Sequence, residues 1–545
     1  MNQEAPCPAT MQPFTRVQRL VVLLLFVALA VKLVHAAWVL SPAFDEYKHA
    51  MTGYAYLASG VCCWGLSDTA LVGLSGLPFV LRGIAPVPRP TAGLEFQEGE
   101  PGDLRPPVHR NITYARLPSV ALCLVLGYLV MRLAHVLGGR HAGLLALLLF
   151  VASPNIAAHG CLVSTDFHGT FGIFFATCVF YRCARSGMML KGGAIAALAF
   201  AVAQISKYTA LVLLAVFPIV AWLSAARRSG SRLWALAWTA GVVALGFVVV
   251  LGVYEVPRWV GGLGIPLPVP PEEWTLPGGA RQPTGYVGGM VLPKAMAAHG
   301  VPGYFHGEFG TTWLSFYPVV IALKTPIGLL ILAAIGSIAL FTLRVGWAAR
   351  AALLGPPLLV FLPSCLSKVT YALRYVLPLW PFMIVVAGLA AAAPWMQRRV
   401  PRGLTGVLAI WALLSGLRAH PYELSYVNEL VGGPRQALAW FADSSLDWGQ
   451  GLAALAREVR ERNIERLHLS YHGSIAPDRY HIPWEPLDPD REVTGWVAIS
   501  ATHLIGLYYP RPPDSRPEAF AWLRGREPLA VVGGSIFLYR IDAGG

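Results

Sequence analysis

A polytopic, all-α membrane domain followed by a small extracytoplasmic α/β domain is the fold class the sequence predicts, on three observations. The 545 residues are 55% hydrophobic and only 13% charged, with mean hydropathy +0.55, too apolar for a soluble chain of this length. Apolar runs long enough to cross roughly 30 Å of hydrocarbon, about 20 residues each, recur through positions 1–418. From 419 to 545 the chain turns polar and mixes one helical pattern with several strand-like runs.

Taken in order, the apolar runs lie near 17–40, 116–138, 141–163, 167–184, 190–206, 208–225, 233–256, 317–343, 350–366, 375–395 and 404–418, which predicts about 11 transmembrane helices. The first run is longer than a signal-peptide core and precedes no A-x-A-like cleavage site, so it is read as a retained span. With the N-terminus cytoplasmic, the inner segments carry fifteen Lys or Arg, among them Arg140, Arg227, Arg228, Arg398 and Arg399, against Glu4 alone. The opposite orientation breaks the positive-inside rule. A net charge of +13 in a soluble chain would suggest nucleic acid. Here the basic residues cluster between apolar runs, which fits topology, and no nucleic-acid partner is expected. The eight cysteines show no disulfide or zinc spacing.

Three segments then face the extracytoplasmic side: the loop 41–115, the Pro/Gly-rich loop 257–316, and the domain 419–545. In that domain "GQGLAALAREVRERN" has helical periodicity, and "LHLSY", "GWVAIS" and "SIFLYRI" read as strands. The membrane domain is accordingly bounded at 1–418.

Where the first run ends, "SPAFDEYKHAMTGYAYLASG" places Asp45 and Glu46 side by side at the water boundary. Tyr47, Met51, Tyr54 and Leu57 follow at helical spacing and give one apolar-aromatic face, suited to lying in the interface plane. A carboxylate held there can take a proton from a nucleophile while a lipid-anchored substrate stays in the bilayer. The same two acids can equally serve the first turn of that helix, and local sequence leaves both readings open.

The stretch "FDEYKHAMTGY" resembles the Asp-Glu motif in the first external loop of protein O-mannosyltransferases and their bacterial relatives, including the lipid A aminoarabinose transferases. These are GT-C glycosyltransferases. In the same order along the chain, "RPPVHRNITYARLPSVAL", "SPNIAAHGCLVSTDFHGTF", "ISKYTALVLL", "YFHGEFGTTWLSFYPVVIALKTPIGLL", "RYVLPLWPF" and "ELVGGPRQALAWFADSSLDWGQGLAAL" resemble later motifs of that group. Relatives often carry His where Arg105 stands. The resemblance spans about residues 40–455 and leaves the last 90 without a motif.

The resemblance implies a sugar donor on polyprenyl phosphate and a protein, lipid or glycan acceptor outside the cytoplasm, at the cell (inner) membrane. It assigns Asp45 as general base, with Glu46 orienting the acceptor or tuning Asp45. A single displacement inverts the anomeric centre and needs no carboxylate nucleophile. The leaving phosphate needs cations, for which Arg105, Lys207 and Arg374 lie in the resembling motifs; snorkelling at span ends is the alternative for each. Lys32, inside the first run, can snorkel or reach the same phosphate. Asp166 can support the site or cap the next span, and Arg110, His306 and Glu308 are further candidates for support. His159 reads as a packing residue. Asp443 and Asp447 read as caps of a helix from Gly449 rather than acceptor contacts. No compact metal-ligand spacing is present, so no metal ligand is assigned, and a divalent cation stays an open cofactor. A multi-span transporter or flippase is the competing class. Transporters place polar groups mid-membrane and often show paired halves, whereas here the acids gather at one face.

Overall fold

The computed structural model describes residues 12–59, 69–82, 108–226, 231–261, 273–275, 281–283, 285–290, 298, 300–370, 372–510 and 514–542. Helix α1 (Arg16–Val39) opens on a capping box, in which Thr15 Oγ1 accepts the Gln18 N–H and the Gln18 side chain accepts the Thr15 N–H. Helix α2 (Glu46–Ser59) carries the aromatic stripe, as its spacing predicts. Part of that stripe is covered by protein rather than lipid, since Tyr54 is buried edge-on to Phe79 of α3 (Gly73–Leu81).

The expected spans 116–138 and 141–163 meet inside one long helix, α4 (Val108–Ala152). It breaks at Gly139, where φ is +81°, a backbone conformation that glycine adopts without strain. Then follow α5 (Pro154–Gly160), α6 (Thr165–Arg185), α7 (Leu190–Gln204), α8 (Leu213–Ala226) and α9 (Arg232–Gly261). Beyond the second loop come α10 (Phe316–Lys324), α11 (Ile327–Thr342), α12 (Trp347–Leu366), α13 (Leu379–Leu389) and α14 (Arg399–Ala419). Every expected span therefore falls on helix. Among the described residues, however, six helices are long and apolar enough to cross a membrane, or up to eight if each bent pair is one span.

Part of the difference comes from α4, which takes in two expected runs, and from the short helices at Leu190–Gln204 and Leu379–Ala392; the rest comes from two breaks. The pair α5 and α6 turns through 113°, and the pair α10 and α11 through 112°. Non-helical backbone at membrane depth is tolerated where protein groups satisfy it, and here they do. Asn155 Nδ2 donates to the Lys324 carbonyl at 2.7 Å, and Asn428 Nδ2 donates to the carbonyls of Ala322 and Thr325 at 2.6 and 3.0 Å. Lys324 Nζ in turn donates to the carbonyls of Leu424 and Ser445. A hydropathy window sees the apolar run and misses the bend.

After two short antiparallel pairs, β1 (Glu273–Thr275) with β2 (Arg281–Pro283) and β3 (Gly303–Phe305) with β4 (Glu308–Gly310), the C-terminal sheet has five strands in the order β6-β5-β7-β9-β8. Its strands are β5 (Leu467–Ser470), β6 (Trp484–Pro486), β7 (Gly495–Ser500), β8 (Ala530–Val532) and β9 (Ile536–Ile541). β5 runs parallel to both β6 and β7, while β9 is antiparallel to β7 and β8. Helix α15 (Leu452–Glu461) packs Leu452, Leu455 and Val459 with Leu467, Leu469 and Leu538 of the sheet. Between α14 and α15, Leu424, Val431, Phe441, Leu446 and Trp448 join the same apolar core as the membrane helices. This connecting stretch brings polar side chains onto the ends of the helices at α1's C-terminus.

Candidate active site

The site begins with α1's last carbonyls, which a helix end leaves unpaired. Arg116, fully buried in α4, donates from Nη1 to the carbonyls of Ala37 and Leu40 and from Nη2 to that of Ser41. Its Nε and Nη2 also grip Glu46, with Nε–Oε1 at 2.9 Å. All five guanidinium donors are thus used. Glu46 accepts two further bonds, from the backbone N–H of Ala43 at 2.8 Å and of Val163 at 2.7 Å. Val163 belongs to the bend between α5 and α6, so this buried ion pair ties α1, α2, α4 and the bend to one another.

Glu46 is 0% exposed. These bonds take up both Glu46 carboxylate oxygens and fix the backbone beside Asp45. Arg116 carried no assignment from the motifs; an arginine within an apolar helix is itself the signal that could have found it.

Asp45 faces the other way. Its Oδ2 accepts from Arg374 Nη1 at 2.9 Å, and its side chain is 28% exposed. The carboxylate meets a cation 329 positions away in sequence instead of serving only its own helix. Burial works to raise the Asp45 carboxyl, but Arg374, with His49 and Lys48, outweighs it and holds the group below its ordinary value. Arg374 sits in the short turn before α13, with its guanidinium over the Trp448 ring at 4.7 Å. It also lies 3.8 Å from Asp166 Oδ2.

Asp166 is not the cap of α6. The N-cap of α6 is Ser164, whose Oγ accepts the Asp166 N–H at 3.2 Å. The Asp166 carboxylate is left for Lys207 and Arg374. Lys207 stands over the Tyr375 ring at 4.7 Å. Its stem passes so close to Gly169 that a Cβ there would lie 2.7 Å from Lys207 Cβ. A continuous line of alternating charge results: Asp45, Arg374, Asp166, Lys207.

The connecting stretch covers this line. Phe44 N–H donates to the Trp448 carbonyl at 2.7 Å, and His472 of the C-terminal domain stacks on the Phe44 ring at 5.0 Å. The expected capping by Asp443 and Asp447 does not occur. Helix α15 starts at Leu452, and the hydroxyl that receives the Leu452 and Ala453 N–H groups is that of Ser41 in the first loop. Asp447 accepts instead from the N–H groups of Gly449 and Thr502. Burial pushes its carboxyl up to about 7 despite those bonds. Asp443 is 8% exposed with φ +62°, and its charge acts on Arg374.

The other expected residues separate. His306 and Glu308 are exposed on the hairpin of β3 (Gly303–Phe305) and β4 (Glu308–Gly310), where His306 packs on Trp440 at 5.0 Å. Lys32 neither snorkels nor joins the site: it pairs with buried Glu423 at 3.4 Å. His159 is buried beside Trp448. Arg105 lies outside the described residues, as does the Arg110 side chain. Among the described residues, no group of three or more His, Cys, Asp or Glu could hold a metal ion.

Residues 108–254 match the family described as dolichyl-phosphate-mannose-protein mannosyltransferase. No curated protein matches the chain significantly. The structure aligns with that of ArnT from Cupriavidus metallidurans in the apo state at 13% identity and TM-score 0.47, covering 95% of this chain and 97% of that one. Its form bound to undecaprenyl phosphate aligns at 14% identity with the same coverage and score. The archaeal oligosaccharyltransferase AglB from Archaeoglobus fulgidus aligns at 11% identity and TM-score 0.43, covering 88% of this chain and 62% of that one.

Proposed function

We propose that this multi-pass membrane chain, whose segment 108–254 matches the family described as dolichyl-phosphate-mannose-protein mannosyltransferase, moves a sugar from a polyprenyl-phosphate donor to an extracytoplasmic acceptor. The observation that carries the reading is the charge line Asp45–Arg374–Asp166–Lys207 at the outer ends of α1, α6, α7 and α12. It places a part-exposed carboxylate beside cations suited to a phosphodiester.

In this reading Asp45 takes the acceptor's hydroxyl proton as the acceptor oxygen bonds to the anomeric carbon. The bond from that carbon to the phosphate oxygen breaks, and its electron pair leaves with the polyprenyl phosphate. Arg374 and Lys207 stabilise the charge that develops there. One displacement inverts the anomeric centre. Arg374 has a second consequence. While it holds Asp45, that carboxylate is ionised but weakly basic. A lipid phosphate competing for the guanidinium relaxes this pairing and raises the proton affinity of Asp45 when the donor is in place. Glu46 and Arg116 hold the backbone on which Asp45 is mounted.

The site opens outside the cytoplasm if the positive-inside orientation holds, and the chain then sits in the cell membrane with its N-terminus inside. The competing class, a flippase or transporter, moves a lipid-linked sugar without cleaving it. Proteoliposomes loaded with a radiolabelled polyprenyl-phosphate hexose and a crude extracytoplasmic acceptor fraction separate the two. Release of sugar-free polyprenyl phosphate supports transfer; relocation of intact donor between leaflets supports the transporter.

A further inference from the structure

Asp443 stands apart from the other acids of the site. It belongs to the connecting stretch, and its φ of +62° is a left-handed conformation uncommon outside glycine, although Asp and Asn tolerate it better than most. Its Oδ2 is buried with no hydrogen-bond partner among the described residues. Buried carboxylate oxygens are ordinarily paired, and an orphan in a strained backbone calls for an explanation. Its surroundings supply one. Ser444 bonds the Asp443 carboxyl, which leaves Oδ2 as the unpartnered oxygen; Arg374 and Asp45 are the charged groups that act on it, and the turn carrying Arg374 is tied to the same short helix, the Leu373 N–H donating to Ser445 Oγ at 3.2 Å.

Asp45 is part-exposed and Asp443 buried. The Asp443 charge bears on Arg374, the cation assigned above to the donor phosphate, so a polar group seated at Asp443 lies on the donor side. The donor offers a phosphate and a sugar. The phosphate suits the cations and is repelled by a carboxylate, which leaves the hydroxyl groups as the chemistry that completes Asp443.

We propose that Asp443 is the sugar-binding residue of the donor site, its unpartnered oxygen accepting a hydroxyl hydrogen of the transferred sugar. The inference rests on the donor reading above and adds to it a contact made by the C-terminal part of the chain. Burial raises the carboxyl to about 6.

The test uses the full chain in nanodiscs with no acceptor present. It compares binding of bare undecaprenyl phosphate with binding of a series of undecaprenyl-phosphate hexoses, in wild type and in Asp443→Asn. Asparagine keeps the size and tolerates the left-handed backbone. The expected result is that wild type binds at least one hexose conjugate more tightly than the bare phosphate by about tenfold or more, the worth of a hydrogen bond to a charged group. Asp443→Asn should lose most of that advantage while binding bare phosphate equally or more tightly, since a nearby negative charge is gone. A full advantage in a folded Asp443→Asn protein, or none in wild type for any hexose, overturns the inference. Failure of wild type to bind bare undecaprenyl phosphate overturns the donor reading itself.

Discussion

Arg374 bears on Asp45, Asp166 and Asp443 at once, and its replacement separates charge from geometry. Arg374→Lys keeps the charge and loses the planar fork, so donor use should weaken; undiminished transfer in Arg374→Ala would remove it from the phosphate site. The pH profile gives an independent reading. Arg374 holds the Asp45 carboxyl below its ordinary value, so the base stays ionised, and transfer persists, until pH falls through that lowered value. In Arg374→Gln the acid limb of kcat/KM, which reports the free enzyme, should move to higher pH while overall activity drops. An unmoved limb would mean that Arg374 does not set the state of the base. The partners in this line were only partly legible in sequence. Asp45, Asp166, Lys207 and Arg374 stood in motifs, but Asp166 read equally as a cap until Ser164 proved to occupy that position.

Helices and bends, not single side chains, explain why Glu46 lies where it does. The Glu46–Arg116 pair holds the end of α1, the start of α2 and the bend at Val163. Removing one partner of a fully buried ion pair typically costs about 3–5 kcal/mol, whereas replacing both with apolar residues is often tolerated. Arg116→Met should therefore lower the thermal midpoint and the folded yield in detergent, and Glu46→Leu combined with Arg116→Met should recover much of the loss. A single variant as stable as wild type would show that the pair does not support the loop. Apolar periodicity made the helices visible, and alternating patterns made β5, β7 and β9 visible. The 112° and 113° turns were hidden because a bend stabilised by Asn155 and Asn428, 273 positions apart, leaves no local trace. Ser41 as the cap of α15 was hidden for the same reason, its bond to Leu452 spanning 411 positions.

Across the whole molecule, the stretch after α14 is part of the membrane half's core as well as the link to the sheet. Trp448 lies under Arg374, Ser41 caps α15, and Glu423 pairs with Lys32 of α1. Orientation follows from charge. Reporter fusions after residue 230 and after residue 430 should report cytoplasmic and external locations respectively, given the basic inner segments. The reverse pattern at either point would contradict the arrangement of spans. The two ends of the loop 41–115 meet where Glu46 pairs with Arg116.

The central claim is that Asp45 removes the acceptor proton. Asp45→Asn changes one oxygen to an amide, keeps the side chain's size, and is about as good at a helix start. It leaves Arg374 paired with Asp166. General-base catalysis is worth typically about 10²–10⁴-fold. In membranes supplied with a polyprenyl-phosphate sugar donor and an acceptor fraction, well-expressed Asp45→Asn should transfer sugar slower by that factor while still binding polyprenyl phosphate. Transfer at near the wild-type rate would contradict the account.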